Sequence, residues 1–208
     1  MLSNLDYADI PIVLAVLLIS LGLHEAMHAF AAHRLGDNTA LHEGRLTLNP
    51  LKHVDLMTTV LLPLGMMLLH LPPILIARPV PFDPEQVKYG EYGSALIALA
   101  GPFTNLGIAA ASALLLRTSF VGSGFPAEVL IFFLLINVSL FVFNMLPIPP
   151  LDGSRLLYAF APEPVQKVMY QIEAMGFVFL IVVLLVLMQV GLGNVLVNLN
   201  QSVLNFLL

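Results

Sequence analysis

Cysteine is absent from the 208-residue chain. This absence excludes disulfides, thiolate metal sites and cysteine nucleophiles, so any bound metal must be held by histidine and carboxylate side chains. Charged residues are scarce too: they make up 10% of the sequence, whereas ordinary soluble domains contain about 25%. The eight Lys and Arg residues form no basic stripe of the kind that follows a phosphate backbone, which argues against nucleic acid as a partner.

Markers of a second domain or of a cleaved leader are missing as well. We find no internal repeat, low-complexity linker or charge run, and therefore predict one domain over residues 1–208. A signal peptide would start with a positively charged region, but Asp6 and Asp9 stand before the first apolar run. We expect that run to stay in the mature protein.

The sequence is instead rich in apolar residues, at 59%. A membrane span needs about 20 predominantly apolar residues, and the segments that qualify are 9–34, 56–77, 93–117, 127–149 and 170–193. The remaining stretch, 194–208, is apolar but short, and it either lies in the membrane interface or packs on the bundle. Between the first two segments, Thr39–Pro50 has the pattern of two short strands joined by a Glu43-Gly44 turn, which predicts a small β-hairpin.

The second apolar segment differs from the others because it is interrupted by Pro63, Gly65, Pro72 and Pro73. Cationic residues collect on the cytoplasmic side of membrane proteins. If all the segments cross the membrane, the Lys and Arg residues divide evenly between its two sides. If the second segment is re-entrant, Arg117 alone faces the outside and the other Lys and Arg residues share the cytoplasmic side, which is the distribution that the rule favours. We therefore predict an all-α polytopic membrane protein with an external N-terminus, about four transmembrane helices, one re-entrant segment and the small β-hairpin.

Residues 24–28 form an H-E-x-x-H sequence, His-Glu-Ala-Met-His, inside the first apolar segment. Four residues advance an α-helix by about 400°, so His24 and His28 project from nearly the same face and can bind one zinc ion together. Glu25 lies beside them, where its carboxylate can act as a general base on water. A chance match is the alternative, but an ionisable cluster within a membrane span is costly unless it is paired or binds a ligand.

A catalytic zinc site needs a third protein ligand and an open position for water. Asp152 is the best candidate, because it follows a long apolar run interrupted by three prolines and because few other polar residues occur in the apolar segments. The alternative for Asp152 is a helix cap or a loop carboxylate. In the topology with a re-entrant second segment, Asp152 and His28 lie near the same side of the membrane, the cytoplasmic one.

A combination of motifs resembles the site-2 protease family of intramembrane zinc metalloproteases, peptidase family M50. The motifs are His24-Glu25-x-x-His28, Leu151-Asp152-Gly153, Gly101-Pro102-x-x-Asn105, Asn49-Pro50-Leu51-Lys52-His53 and Arg78-Pro79-Val80-Pro81. The resemblance covers residues 20–155. It implies a minimal helical core, without the PDZ domain or regulatory nucleotide-binding domain that members of the family often carry.

By this resemblance, His24, His28 and Asp152 bind one catalytic Zn²⁺ ion, and Glu25 is the catalytic base. Asn144 matches the family's substrate-binding asparagine, whose amide could donate to a substrate carbonyl or oxyanion. An interhelical hydrogen bond is the alternative for Asn144.

Asn105 and His53 are two further candidates for substrate binding. For Asn105 the alternative is a packing role in the helix bundle. For His53 the alternatives are regulation of zinc access and a hydrogen bond within its own loop, and the loop hydrogen bond is favoured.

The resemblance implies an intramembrane zinc metalloendopeptidase that hydrolyses peptide bonds in or near transmembrane segments of membrane-protein substrates. Its partners would be a transmembrane protein or peptide and the lipid bilayer of a bacterial or archaeal cell, with the active site toward the cytoplasm. We expect an unwound substrate to pair as a strand along the predicted hairpin or along Arg78–Phe82.

The alternatives to a protease are a metal-ion or proton transporter that uses the same cluster of ionisable residues, and a membrane scaffold that has lost catalytic turnover. The sequence does not indicate an oligomeric state.

Overall fold

The computed structural model describes residues 7–53, 80–118 and 121–208, and these ranges are mainly helical. Within them, two single turns of 3-10 helix occur, at Tyr7–Asp9 and Pro50–Lys52. The α-helices are α1 (Ile10–Arg34), α2 (Thr39–His42), α3 (Glu91–Leu116), α4 (Phe125–Asn144), α5 (Asp152–Phe160), α6 (Glu163–Ala174), α7 (Gly176–Gln189) and α8 (Leu192–Leu207).

Among the described residues, three helices are long and apolar enough to cross a membrane, namely α1, α3 and α4. They coincide with the first, third and fourth predicted segments, which are thereby confirmed as helices of spanning length. Both α1 and α4 carry a proline in the first turn, where the missing N–H has no helical partner to lose. The protein is therefore an integral membrane protein with several apolar helices.

The fifth predicted segment, 170–193, is not one continuous helix. It is divided between α6 and α7, which meet at Gly176 with φ +70 and bend by 104°. The two helices differ in composition. Helix α7 is almost wholly apolar, whereas α6, which begins before the predicted segment, contains the polar residues Glu163, Gln166, Lys167, Gln171 and Glu173. Glycine adopts a positive φ at little energetic cost, so Gly176 allows the chain to turn. The turn lies at the boundary between the polar helix α6 and the apolar helix α7. Taken together, the bent pair adds a fourth candidate span to the three straight ones.

The β-hairpin predicted over Thr39–Pro50 is wrong. Residues Thr39–His42 form a helical turn, and no strand occurs within the described ranges. Asp37 Oδ1 accepts hydrogen bonds from the N–H and the hydroxyl of Thr39, at 2.9 and 2.6 Å, and Asn49 Oδ1 accepts from the Leu51 N–H at 3.1 Å. Short polar side chains thus take the backbone donors that a strand ladder would have used. The hairpin edge is therefore not available to a substrate strand.

The second predicted segment, 56–77, lies outside the described residues. The described residues on either side of it both pack against α1. A Cβ added at Gly22 would lie 2.6 Å from Pro50 Cβ, so Pro50 rests directly on that helix. Val80 is buried with Ala29, about two turns further along the same helix. The described chain on either side of that segment therefore lies against α1, beside its middle at Gly22 and beside Ala29.

Helix α3 packs against α1 and α4, which also contact each other, and against the short helix α5. Its Ala109 and Ala113 are buried against Leu134 of α4 and Leu204 of α8. Small residues let membrane helices approach closely. Of the two positions expected for residues 194–208, packing on the bundle is confirmed, since α8 contacts both α3 and α4.

Candidate active site

Three potential metal ligands converge between α1, α3 and α5. His24 and His28 are one turn apart on α1, and Asp152 is the first residue of α5. The two Nε2 atoms are 3.0 Å apart, and Asp152 Oδ2 lies 3.1 Å from His24 Nε2 and 3.4 Å from His28 Nε2. Tetrahedral zinc with bonds of about 2.0–2.1 Å places its ligand atoms roughly 3.3 Å apart. The triangle therefore has the dimensions of one face of a zinc site.

The hydrogen bonds around these three side chains indicate that a cation fits in the space between them. His28 Nδ1 lies 2.8 Å from the Ile97 carbonyl, which can only accept, so Nδ1 carries the proton and Nε2 a lone pair. His24 Nδ1 is held in the same way, 2.6 Å from Asn105 Oδ1. Asp152 Oδ2 is buried and makes no hydrogen bond to the described residues. Three acceptor atoms thus face one another without a proton, an arrangement that a bound divalent ion stabilises.

Gly101 of α3 keeps open the space that the two imidazoles occupy. A Cβ at this position would lie 2.4 Å from His28 Nε2 and 2.6 Å from His24 Nε2. Both rings are anchored at Nδ1, so neither can turn away without losing a buried hydrogen bond. A side chain at residue 101 would therefore displace the ligands or the ion. The donor set, its spacing and this gap together fit zinc.

Glu25 is buried next to the ligand triangle. One of its carboxylate oxygens, Oε2, accepts a hydrogen bond from the Val80 N–H at 3.1 Å. That contact ties α1 to the segment after residue 79 and sets the orientation of the carboxylate. The second oxygen is left for a proton, which is the requirement for a general base.

A cavity of about 470 Å³ opens at the triangle, and Glu25, Asn144 and Asp152 are among the residues that line it. This volume lies within the range of small-ligand sites in proteins. Asn144 donates one amide N–H to the Leu140 carbonyl at 3.0 Å, and the described residues provide no hydrogen-bond partner for its second N–H or its oxygen. Asn144 is thus placed beside the ligands with hydrogen-bonding capacity to spare.

The cavity also holds an ion pair between Arg155 of α5 and Glu173 of α6. The Arg155 guanidinium lies 5.7 Å from the centre of the Phe82 ring, at the distance of a cation–π contact. One arginine therefore connects α5, α6 and the segment that begins at Val80.

Asn105 and His53 do not line this cavity. Asn105 has no exposed surface and is bonded to His24 and Asn137. His53 is also buried, and its Nε2 donates to the Thr47 carbonyl at 3.0 Å. The packing role considered for Asn105 and the loop hydrogen bond favoured for His53 are therefore present. A substrate contact by either residue stays a prediction.

Sequence reasoning did not single out Asn137 or the Arg155–Glu173 pair. Asn137 had a detectable signal, because an amide in an apolar span needs a partner within the protein. Ile97 had no such signal in the sequence, because it contacts His28 through its backbone carbonyl and not through its side chain.

Comparison with known proteins points to one family. The sequence profile of peptidase family M50 matches residues 118–188. YwhC of Bacillus subtilis (strain 168) is 35% identical over 195 residues, which cover 88% of this chain and 83% of YwhC. Rip2 of Mycolicibacterium smegmatis is 33% identical over 185 residues, 84% of this chain and 66% of Rip2. Rip2 of Mycobacterium tuberculosis (strain H37Rv) is 32% identical over 188 residues, 87% and 70% of the two chains.

Each of these relatives has a name that describes it, provisionally, as a zinc metalloprotease. No solved structure matches the chain. The comparisons lend no support to the transporter alternative. The geometry of the His24, His28 and Asp152 cluster agrees with a zinc cofactor. With this cluster in a membrane helix bundle and relatives that match over most of both chains, the protein belongs to peptidase family M50, the zinc metalloproteases.

Proposed function

We propose that this protein is an intramembrane zinc endopeptidase that hydrolyses peptide bonds in or near transmembrane segments of membrane proteins. The observation that carries the proposal is the convergence of His24, His28 and Asp152 beside Glu25, at a cavity next to a membrane-length helix. Ionisable groups at such a place are retained for a function. Residues 1–208 act as a single core domain in this proposal.

Zinc bound by His24, His28 and Asp152 would supply a Lewis acid that acidifies water and polarises the scissile carbonyl. Glu25 takes the proton from the attacking water and passes it to the leaving amine. Its hydrogen bond from the Val80 N–H keeps the carboxylate at the triangle during both transfers.

Asn144 orients the substrate in this proposal. Its amide retains one N–H after the bond to Leu140, and that N–H donates to a substrate carbonyl or to the developing oxyanion. The position of Asn144 in the cavity wall together with Glu25 supports this role.

The substrate is a transmembrane protein or peptide that unwinds locally before cleavage. A helical substrate hides its scissile carbonyl in its own hydrogen bonds, and the unwound strand needs new backbone partners. With the hairpin excluded, Val80–Phe82 is the described part of the remaining candidate edge, and it lines the cavity. The Val80 N–H is already bonded to Glu25, and Pro81 has none, so at these two positions the edge offers only carbonyl acceptors to substrate N–H groups.

The test is cleavage of a panel of single-span membrane peptides by the purified full-length protein in detergent. We expect cleavage that stops after zinc is removed with a chelator and returns when zinc, but not magnesium, is added back. Magnesium prefers oxygen ligands in octahedral geometry and does not suit a two-histidine site, which makes it the matched control. Equal cleavage before and after zinc removal would contradict the proposal.

We further propose that the site faces the cytoplasm of a bacterial or archaeal cell. Ser123, between α3 and α4, should then be external, and Glu85, near the end of α1, internal. The Lys88 N–H donates to the Leu35 carbonyl at 2.8 Å, just after the C-terminal end of α1. Glu85, three residues before Lys88, is therefore near that end of the helix. The natural chain has no cysteine, so Ser123→Cys and Glu85→Cys each carry a single thiol.

In intact cells, a membrane-impermeant maleimide should label the Ser123→Cys variant, while the Glu85→Cys variant reacts only after lysis. The reverse pattern would overturn the orientation. It would leave the proposed chemistry standing, because neither position touches the cavity.

A further inference from the structure

A chain of buried side chains leads from His24 across three helices. His24 Nδ1 lies 2.6 Å from Asn105 Oδ1 on α3, and Asn105 Nδ2 donates to Asn137 Oδ1 on α4 at 2.8 Å. Asn137 Nδ2 donates to the Phe133 carbonyl and to Ser20 Oγ, each at 2.8 Å. Ser20, Asn105 and Asn137 have no exposed surface, so water does not substitute for any of these partners.

The direction of this chain is set at its far end. The Phe133 carbonyl can only accept, so the amide nitrogen of Asn137 must face it and the Asn137 oxygen must face Asn105. Asn105 then has to donate through its nitrogen, which turns its oxygen toward His24. The Ser20 hydroxyl can donate or accept and imposes no direction.

An oxygen that faces His24 Nδ1 requires the proton of the neutral imidazole to be on Nδ1. His24 Nε2 then has a lone pair directed to His28 and Asp152. With Asn105 flipped, its nitrogen would donate to Nδ1, the proton would move to Nε2, and His24 would offer no Nε2 lone pair to a metal until that proton was displaced. His28 avoids this ambiguity because its Nδ1 meets the Ile97 carbonyl directly.

We propose that Asn137 is a positioning residue that fixes the tautomer of His24 through Asn105 and thereby prepares Nε2 for zinc. The role rests on the proposed ligation by His24 and not on proteolysis. Outer partners that orient a metal-binding histidine are worth about 10- to 100-fold in metal affinity. Asn137 touches neither His24 nor the ion, so its effect must pass through the orientation of the Asn105 amide.

The experiment is a double-mutant cycle of zinc affinity, measured by chelator competition on the full chain in detergent. In the natural background, Asn137→Leu should weaken zinc binding about 10- to 100-fold, because Asn105 loses the partner that orients it. An Asn105→Asp carboxylate can only accept, so it holds the His24 proton on Nδ1 unaided. In that background, Asn137→Leu should weaken zinc binding by less than about threefold, because the introduced carboxylate offers the Asn137 oxygen no donor to lose.

Two further measurements separate positioning from packing. Asn200→Leu is the matched control: the Asn200 amide also donates to a carbonyl one turn earlier, that of Leu196 at 2.8 Å, but it lies outside the chain to His24. We expect no change of zinc affinity there. In the metal-free protein, ¹⁵N chemical shifts of the His24 ring should show the proton on Nδ1, and a mixture of tautomers after Asn137→Leu.

Equal losses of zinc affinity from Asn137→Leu in both backgrounds, or no loss in either, would overturn the proposal. If the leucine variant does not fold, Asn137→Val removes the same bonds with less bulk, and the same outcomes apply. Failure of the natural protein to bind zinc would instead refute the proposed ligand set. Zinc binding without peptide cleavage would count against the proteolytic function alone.

Discussion

Replacing Glu25 by glutamine is expected to lower the rate of peptide cleavage about 10²- to 10⁴-fold while zinc stays bound, since loss of a general acid–base group has effects of this size. The amide oxygen of glutamine can still accept the hydrogen bond from the Val80 N–H. The substitution therefore removes the proton acceptor with little change to the contact that positions residue 25. Cleavage rate and zinc content would be measured on the same purified sample.

Glu43→Gln is the control for the change of charge, because Glu43 is exposed and lies outside the cavity. Its cleavage rate should equal that of the natural protein. A Glu25→Gln variant that cleaves at the natural rate would show that another group takes the proton from water. A variant that loses both cleavage and zinc would show that Glu25 supports the metal site itself.

The substitution Gly101→Ala is expected to weaken zinc binding about 100-fold, the upper end of the losses found when metal-binding histidines are no longer held in place. The added Cβ would come within 2.4 Å of His28 Nε2 and 2.6 Å of His24 Nε2, at the atoms that face the ion. The helix itself should persist, because alanine is a better helix former than glycine. Zinc affinity by chelator competition and helix content by circular dichroism would test the two halves of this prediction.

Gly107→Ala supplies the matched control on the same helix. A Cβ at Gly107 would meet nothing within 4 Å among the described residues, so zinc affinity and cleavage should be unchanged. If Gly101→Ala bound zinc as tightly as the natural protein, the imidazoles would have to lie elsewhere than between α1 and α3. A loss of helix content in Gly101→Ala alone would mean that the residue matters for packing and not only for the site.

Sequence reasoning succeeded where the information is local. Apolar length predicted α1, α3 and α4, because about 20 apolar residues suffice to cross the hydrocarbon core. The spacing of His24 and His28 predicted their common face, since the helix repeat alone determines it. It failed over Thr39–Pro50, where a strand-like pattern yielded to hydrogen bonds from the side chains of Asp37 and Asn49. It also predicted one helix where the chain bends at Gly176.

By itself, the sequence determined the membrane class, the helices of spanning length, the absence of thiolate ligands and the choice of histidine and carboxylate as metal donors. Each of these follows from composition or from the period of a single helix. Only the tertiary structure decided that Asp152 meets both imidazoles, that Gly101 leaves room for them, and that Asn137 reaches His24 through Asn105. These contacts join residues far apart in the chain, so they depend on the depth and rotation of packed helices, which no local pattern encodes.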